Sequence, residues 1–203
     1  MTRRELLQLA ASAPALAFIP RLAAGRQRGD LALDAFQRAP WHATLVNGDE
    51  APPTVQLVRE WEAGRCRSQI VNKGSLPIAL KDVTLFSVTH ALPAETPIYG
   101  EGFQMLSQTG GTLGAITDLG NYTDVKHYRM PEPAGTRVVY NLLTVATAGT
   151  HRVLTFTSCR RFSGQFRVLP NAIDVVLDLE GRSLDPGESW PLEEFTFLTG
   201  NDR

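Results

Sequence analysis

The chain has 203 residues, of which 43% are hydrophobic and 20% charged, and its formal net charge is −1. That is enough apolar material for one well-buried domain, and it excludes both intrinsic disorder and a membrane-embedded body. The near balance of charge gives no electrostatic footprint for nucleic acid or an anionic membrane, each of which needs clustered Lys and Arg.

Residues 1–25 read as an export signal peptide. Thr2-Arg3-Arg4 precedes the apolar run Leu6 to Ile19, and small residues follow at Ala23, Ala24 and Gly25. Paired arginines before a short apolar stretch resemble a twin-arginine signal, which implies an N-terminal signal helix and a periplasmic or secreted protein. The run is shorter than the about 20 residues that span a bilayer, and Pro14 and Pro20 interrupt it. The competing reading is a mobile N-terminal helix in a cytoplasmic protein.

Residues 26–52 read as an N-terminal strand and linker region, with Leu31, Leu33 and Phe36 beginning the first strand. Residues 53–203 then form a series of short runs rich in β-branched and aromatic residues, punctuated by Gly, Pro and Asn, as in an antiparallel β-sandwich. Thr54 to Trp61 places Val55, Leu57 and Trp61 on one face, and Glu62-Ala63-Gly64 turns into Arg65 to Val71. Asn72-Lys73-Gly74 makes the next turn. Lys81 to Thr89 is apolar on both faces, which predicts a central strand covered on both sides. Arg137 to Val145 and Arg152 to Thr157 read as a hairpin around Ala146 to Thr150. Ile173, Val175, Leu177 and Leu179 alternate with Asp174, Asp178 and Glu180, so that strand has one face in the core and one in water. Asp185-Pro186-Gly187 supplies a turn, and Trp190 to Leu198 returns as a last strand with Phe195 and Phe197 on one face. Sustained helical periodicity is absent downstream, which argues against a parallel α/β enzyme fold.

Cys66 and Cys159 both fall in stretches read as strands; one disulfide and two buried free thiols are both open. With no CxxC and four scattered histidines, no metal or cofactor is expected. Trp41, Trp61 and Trp190 read as core or interdomain residues. Arg160 and Arg161 would point to opposite faces of a strand, with Glu193 or Glu194 as partners.

Thr96 to Pro133 breaks the strand rhythm. It is polar, glycine-rich and carries Tyr99, Phe103, Tyr122 and Tyr128; irregular stretches beyond about 12 to 15 residues are usually functional loops or disordered. Within it, Tyr99-Gly100-Glu101-Gly102-Phe103-Gln104-Met105-Leu106-Ser107 resembles a segment in the N-terminal β-supersandwich of α-galactosidase-like glycoside hydrolases (family 36-like, melibiase type) that typically reads Asn-Gly-Tyr/Trp-Gln-Ser-Trp-Ser. Gly102, Phe103, Gln104 and Ser107 match, whereas Glu101, Met105 and Leu106 depart from the pattern. Thr157 to Phe166 and Leu184 to Glu194 resemble later strands of the same domain, so the likeness covers roughly 53–199.

In that family the catalytic aspartates lie on a following (β/α)₈ barrel, which takes about 250 residues by itself. The chain ends at Arg203, about where the family would pass into its linker. The resemblance therefore implies a non-catalytic N-terminal domain, a truncated product or a stand-alone descendant, that borders a sugar pocket or an oligomer interface. Its implied partners are a galactoside-like carbohydrate and either a (β/α)₈ catalytic domain or a second copy. The alternative is an independent secreted carbohydrate-binding module.

The candidate substrate-binding residues are Phe103, Gln104, Ser107, Tyr122, Asp124 and His127, with Tyr128 beside them. Sugars stack C–H faces on aromatic rings and exchange hydrogen bonds with amides and carboxylates, which these residue types supply. The plainer reading is that Tyr99 and Phe103 anchor the loop and Gln104 satisfies backbone groups. Catalysis would need a carboxyl pair among Glu101, Asp118, Asp124 and Glu132, or a triad of Ser107, His127 and Asp124 that lacks a nucleophile elbow.

Overall fold

Alternating apolar residues drive most of the chain into extended backbone, because one face of each strand can then leave water. The computed structural model describes residues 31–104, 106–147 and 149–201; the export signal expected over 1–25 lies outside the described residues. One helix, α1 (Leu33–Arg38), leads into β1 (His42–Leu45). There follow β2 (Val55–Glu62), β3 (Arg65–Asn72), β4 (Ile78–Thr89), β5 (Ile98–Glu101), β6 (Gln108–Thr112) and β7 (Ala115–Leu119). A π-helical turn (Asp124–Tyr128) precedes β8 (Arg137–Thr147), β9 (Thr150–Phe156), β10 (Ser163–Leu169), β11 (Ala172–Leu184), β12 (Ser189–Pro191) and β13 (Phe195–Asn201).

The strands hydrogen-bond in the order β1-β4-β11-β10-β8-β9-β13-β3-β12, with β2 on β3 and the series β5-β6-β7 attached to β8. Phe86 on β4 and Phe195 on β13 lie five strand steps apart in that order, yet their ring centroids are 5.1 Å apart. At about 4.8 Å per strand a flat sheet would hold them about 24 Å apart. The sheet therefore curls until its halves face each other, and the fold is an all-β antiparallel sandwich. Arg59 ties the open seam by donating to the Leu85 carbonyl at 2.9 Å and the Ala39 carbonyl at 2.9 Å.

β8 belongs to both layers. Residues up to Tyr140 pair with β10, and those from Leu142 pair with β9. Between them Asn141 adopts φ 58°, a left-handed conformation that Asn tolerates and β-branched residues resist. Strands commonly change sheets at such a bulge. Asn141→Gly is expected to leave the melting temperature nearly unchanged, whereas Asn141→Val should destabilise by about 1–3 kcal/mol; equal denaturation midpoints for the two variants would refute this account of the crossover.

Several sequence expectations hold. β8 and β9 form the expected hairpin, β4 runs between β1 and β11 with Val83 to Phe86 fully buried, and β11 buries Ile173, Val175, Leu177 and Leu179. The polar face it shares with β4 and β10 is paired: Lys81 meets Asp178 at 2.7 Å, Arg167 meets Asp82 at 2.6 Å, and Ser87 donates to Asp174 at 2.7 Å.

Others need correction. Leu31 and Leu33 share a strand period, but Phe36 falls out of it and sits one helical turn after Leu33, so the segment forms α1 instead of a first strand. Phe36 is fully buried against Phe86, Phe195 and Phe197, which brings α1 into the common core. The expected long loop 96–133 contains three strands and the π-helical turn. The last strand is interrupted at 192–194, where Glu193 turns inward and is 3% exposed. Cys66 is buried in β3, Cys159 is exposed in a loop, and both are free thiols. Burial pushes the Cys66 thiol pKa up.

Candidate functional site

β5 extends the β8 edge, pairing Ile98 with Val145 and Glu101 with Tyr140, and the β6–β7 hairpin continues outward as an arm. The loop after β5 closes on itself, because the Gly102 N–H donates to the Ser107 carbonyl at 2.7 Å. A Cβ on residue 102 would run into the Ser107 side chain, so this turn requires glycine. Asp124, opening the π-helical turn, accepts from the Phe103 N–H at 3.0 Å and from the Ser107 hydroxyl. One carboxylate thus staples the 102–107 loop to the turn.

The turn is held from both ends. The Thr123 hydroxyl accepts from the Lys126 N–H at 3.1 Å, and the Thr123 N–H donates to His127 Nδ1 at 3.0 Å. Arg129, at φ 55°, ends it in the left-handed region. Phe103 packs edge-on against Tyr140 at 5.4 Å and beside Tyr128 at 6.2 Å, while Tyr122 stacks on His127 at 4.8 Å.

Beneath the arm lies a cleft of about 150 Å³, lined by Ser107, Asp118, Asp124, Glu132, Arg137 and Tyr140 among others. Arg137 bridges Asp118 at 2.5 Å and Glu132 at 2.9 Å. Burial, reinforced by the negative charge of Asp124, pushes the Tyr140 pKa up to about 12, so its hydroxyl stays protonated as a donor at neutral pH.

Glycoside hydrolysis normally uses two carboxyl groups able to reach substrate with separated pKa values. Here Asp118 and Glu132 both form ion pairs with the single Arg137, and Asp124 is occupied by two donors. The triad geometry is not formed either: Ser107 donates to Asp124, while His127 is turned to the Thr123 backbone. Among the described residues no group of three or more His, Cys, Asp or Glu is placed to hold a metal ion.

Of the sequence-predicted residues, Phe103, Ser107 and Asp124 come together directly, and Tyr122 with His127 forms an exposed pair next to them. Gln104 is exposed on the loop. Sequence reasoning missed Arg137 and Tyr140. Tyr140 stands out of phase with the core residue Val139, so alternation along β8 places it on the opposite face. Arg160 and Arg161 lie in a loop instead of a strand; the Arg161 N–H donates to Glu193 at 2.7 Å and its guanidinium covers Trp190 at 4.3 Å.

The fold and cleft define an antiparallel all-β sandwich with an appended arm. No family model matches the sequence, and no curated protein matches it. Among solved structures, the chain is similar to the family GH36 α-galactosidase AgaB of Geobacillus stearothermophilus, at 12% identity and a TM-score of 0.42. It is also similar to a variant of the α-galactosidase AgaA of that organism in complex with raffinose, at 13% identity and a TM-score of 0.42. Each likeness covers 81% of this chain, which spans 30% of the length of either enzyme.

Proposed function

We propose that this chain is a non-catalytic β-sandwich of an α-galactosidase-like glycoside hydrolase, and that its arm contacts a galactoside. The observation that carries the reading is the commitment of all three cleft carboxylates to protein partners, which leaves no acid/base pair there. What faces solvent on the arm is suited to sugar contact: Tyr122, 50% exposed and stacked on His127, with the Gln104 amide on the adjoining loop. The motif Gly102-Phe103-Gln104 with Ser107 supports the same reading through its resemblance to the family's N-terminal domain.

The purified chain is expected to show no turnover of an aryl α-galactoside and to hold methyl α-galactopyranoside only at millimolar Kd, with NMR shifts centred on Tyr122 and His127 and lost in Tyr122→Ala. Turnover that co-purifies with the chain and disappears in Asp124→Asn would overturn the non-catalytic assignment. Micromolar binding by the isolated chain would make it a stand-alone carbohydrate-binding module instead.

A further inference from the structure

The curled sheet does not close at its seam, and a second cleft opens there. β1 ends one side of the hydrogen-bonded order, and β2 pairs only with β3. Around the connection between them, residues 46–54, about 590 Å³ stands open beside the first residues of both strands, within the roughly 300–1,000 Å³ typical of small-molecule sites. The walls are preformed. Leu45 N–H donates to the Asp49 carbonyl at 2.8 Å, Ala51 N–H to the Ala43 carbonyl at 2.8 Å, and Pro52 and Pro53 stiffen the return into β2.

Trp41 lines this opening while packing partly against the core, which holds the indole in place. His42 is fixed by its contact with the Thr84 hydroxyl at 3.2 Å. Glu50 and Gln56 are exposed in the same lining. Among the described residues, no side-chain bond or ion pair takes up the Trp41 indole N–H, the Glu50 carboxylate or the Gln56 amide. This is the reverse of the arm cleft, where every carboxylate is spoken for.

The uncommitted set is a fixed aromatic ring, one donor, one strong acceptor and one group that is both. A pyranose ring fits it, since its C–H face stacks on the indole and its hydroxyls donate to the carboxylate and exchange bonds with the amide. An anionic sugar would be repelled by Glu50. We propose that the seam cleft is a second saccharide site, which takes a neutral hexopyranose unit on Trp41 with Glu50 and Gln56 holding its hydroxyls. It stands independently of the arm reading.

The test titrates the full chain carrying Tyr122→Ala, which removes the arm contact, with methyl α-galactopyranoside, methyl α-glucopyranoside and tetramethylammonium, read by saturation-transfer NMR and tryptophan emission. Transfer to the ring protons of at least one glycoside is expected, together with a change in emission. Trp41→Phe should keep the transfer and lose the emission change. Trp41→Ala should weaken binding at least about tenfold and Glu50→Gln about threefold, whereas restoring Tyr122 should leave the Trp41 signals unchanged. Absence of transfer from both glycosides overturns the proposal, as does binding that survives Trp41→Ala or a preference for tetramethylammonium, which would mark a cation–π site. If Trp41→Ala fails to fold, Trp41→Phe and Glu50→Gln carry the same decision.

Discussion

Phe36→Ala is expected to lower stability by about 3–5 kcal/mol, the range for deleting a fully buried aromatic side chain. Phe36 is wholly buried and its ring meets Phe86, Phe195 and Phe197 at 5.2 to 6.1 Å. Those partners come from β4 and β13, in opposite layers, so the ring fills space that no single layer can close. A helix of six residues is too short to be stable alone, and its burial of Phe36 is what holds it. Urea denaturation gives the measurement, and Phe36→Leu should lose far less. A cost under about 1 kcal/mol for the alanine variant would show that α1 is peripheral to the core.

Glu193→Gln is expected to destabilise by about 1.5–3 kcal/mol at neutral pH, the worth of hydrogen bonds to a charged group. The carboxylate accepts from the Ser158 hydroxyl, from the Arg161 N–H at 2.7 Å and from the Phe162 N–H at 3.1 Å. Burial pushes its pKa up, but these bonds together outweigh burial and hold it below the ordinary value. A depressed folded pKa means that the stabilisation is fully present above the unfolded value of about 4.3 and is lost as pH falls through the folded value. Glu188 and Glu194 are depressed in the same direction, mainly by bonds from the Asp185 N–H and the Thr157 hydroxyl. Stability should therefore fall steeply on acidification below that range, and Glu193→Gln should flatten the fall. An unchanged acid limb in the variant would assign the loss to other carboxylates.

The strands legible in the sequence are those with large apolar side chains on a strict period. Ile173 to Leu179 is the plainest, and Lys81 to Thr89 reads as central because both its faces are apolar. β6 escaped because Gly110 and Gly111 present no side chain to alternate, and β7 because its apolar residues, Ala115, Ile116 and Leu119, keep no strand period. The Trp190 to Leu198 stretch looked continuous because an inward-turned glutamate has the same sequence signature as a solvated one. At the arm the polar and aromatic residue types are legible in the sequence, but not which of them pair with one another. Ser107 and Asp124 bind each other, a pairing 17 residues apart that spacing alone cannot reveal. The seam cleft is illegible for the same reason: Trp41 and Gln56 line one opening only where the ends of the curled sheet approach each other.

The pairing order also sets when the protein can be finished. β4, whose residues end at Thr89, finds its long partner only in β11, which begins at Ala172. At about 5–20 residues per second the intervening segment takes roughly 4 to 17 seconds to synthesise. Throughout that time β4 has a bare hydrogen-bonding edge and an uncovered apolar face, and β3 waits still longer for β12 and β13. Completion of the sheet therefore waits on the strands made last. The nascent chain passes through its most aggregation-prone stage on the ribosome, where a holding chaperone has several seconds in which to act.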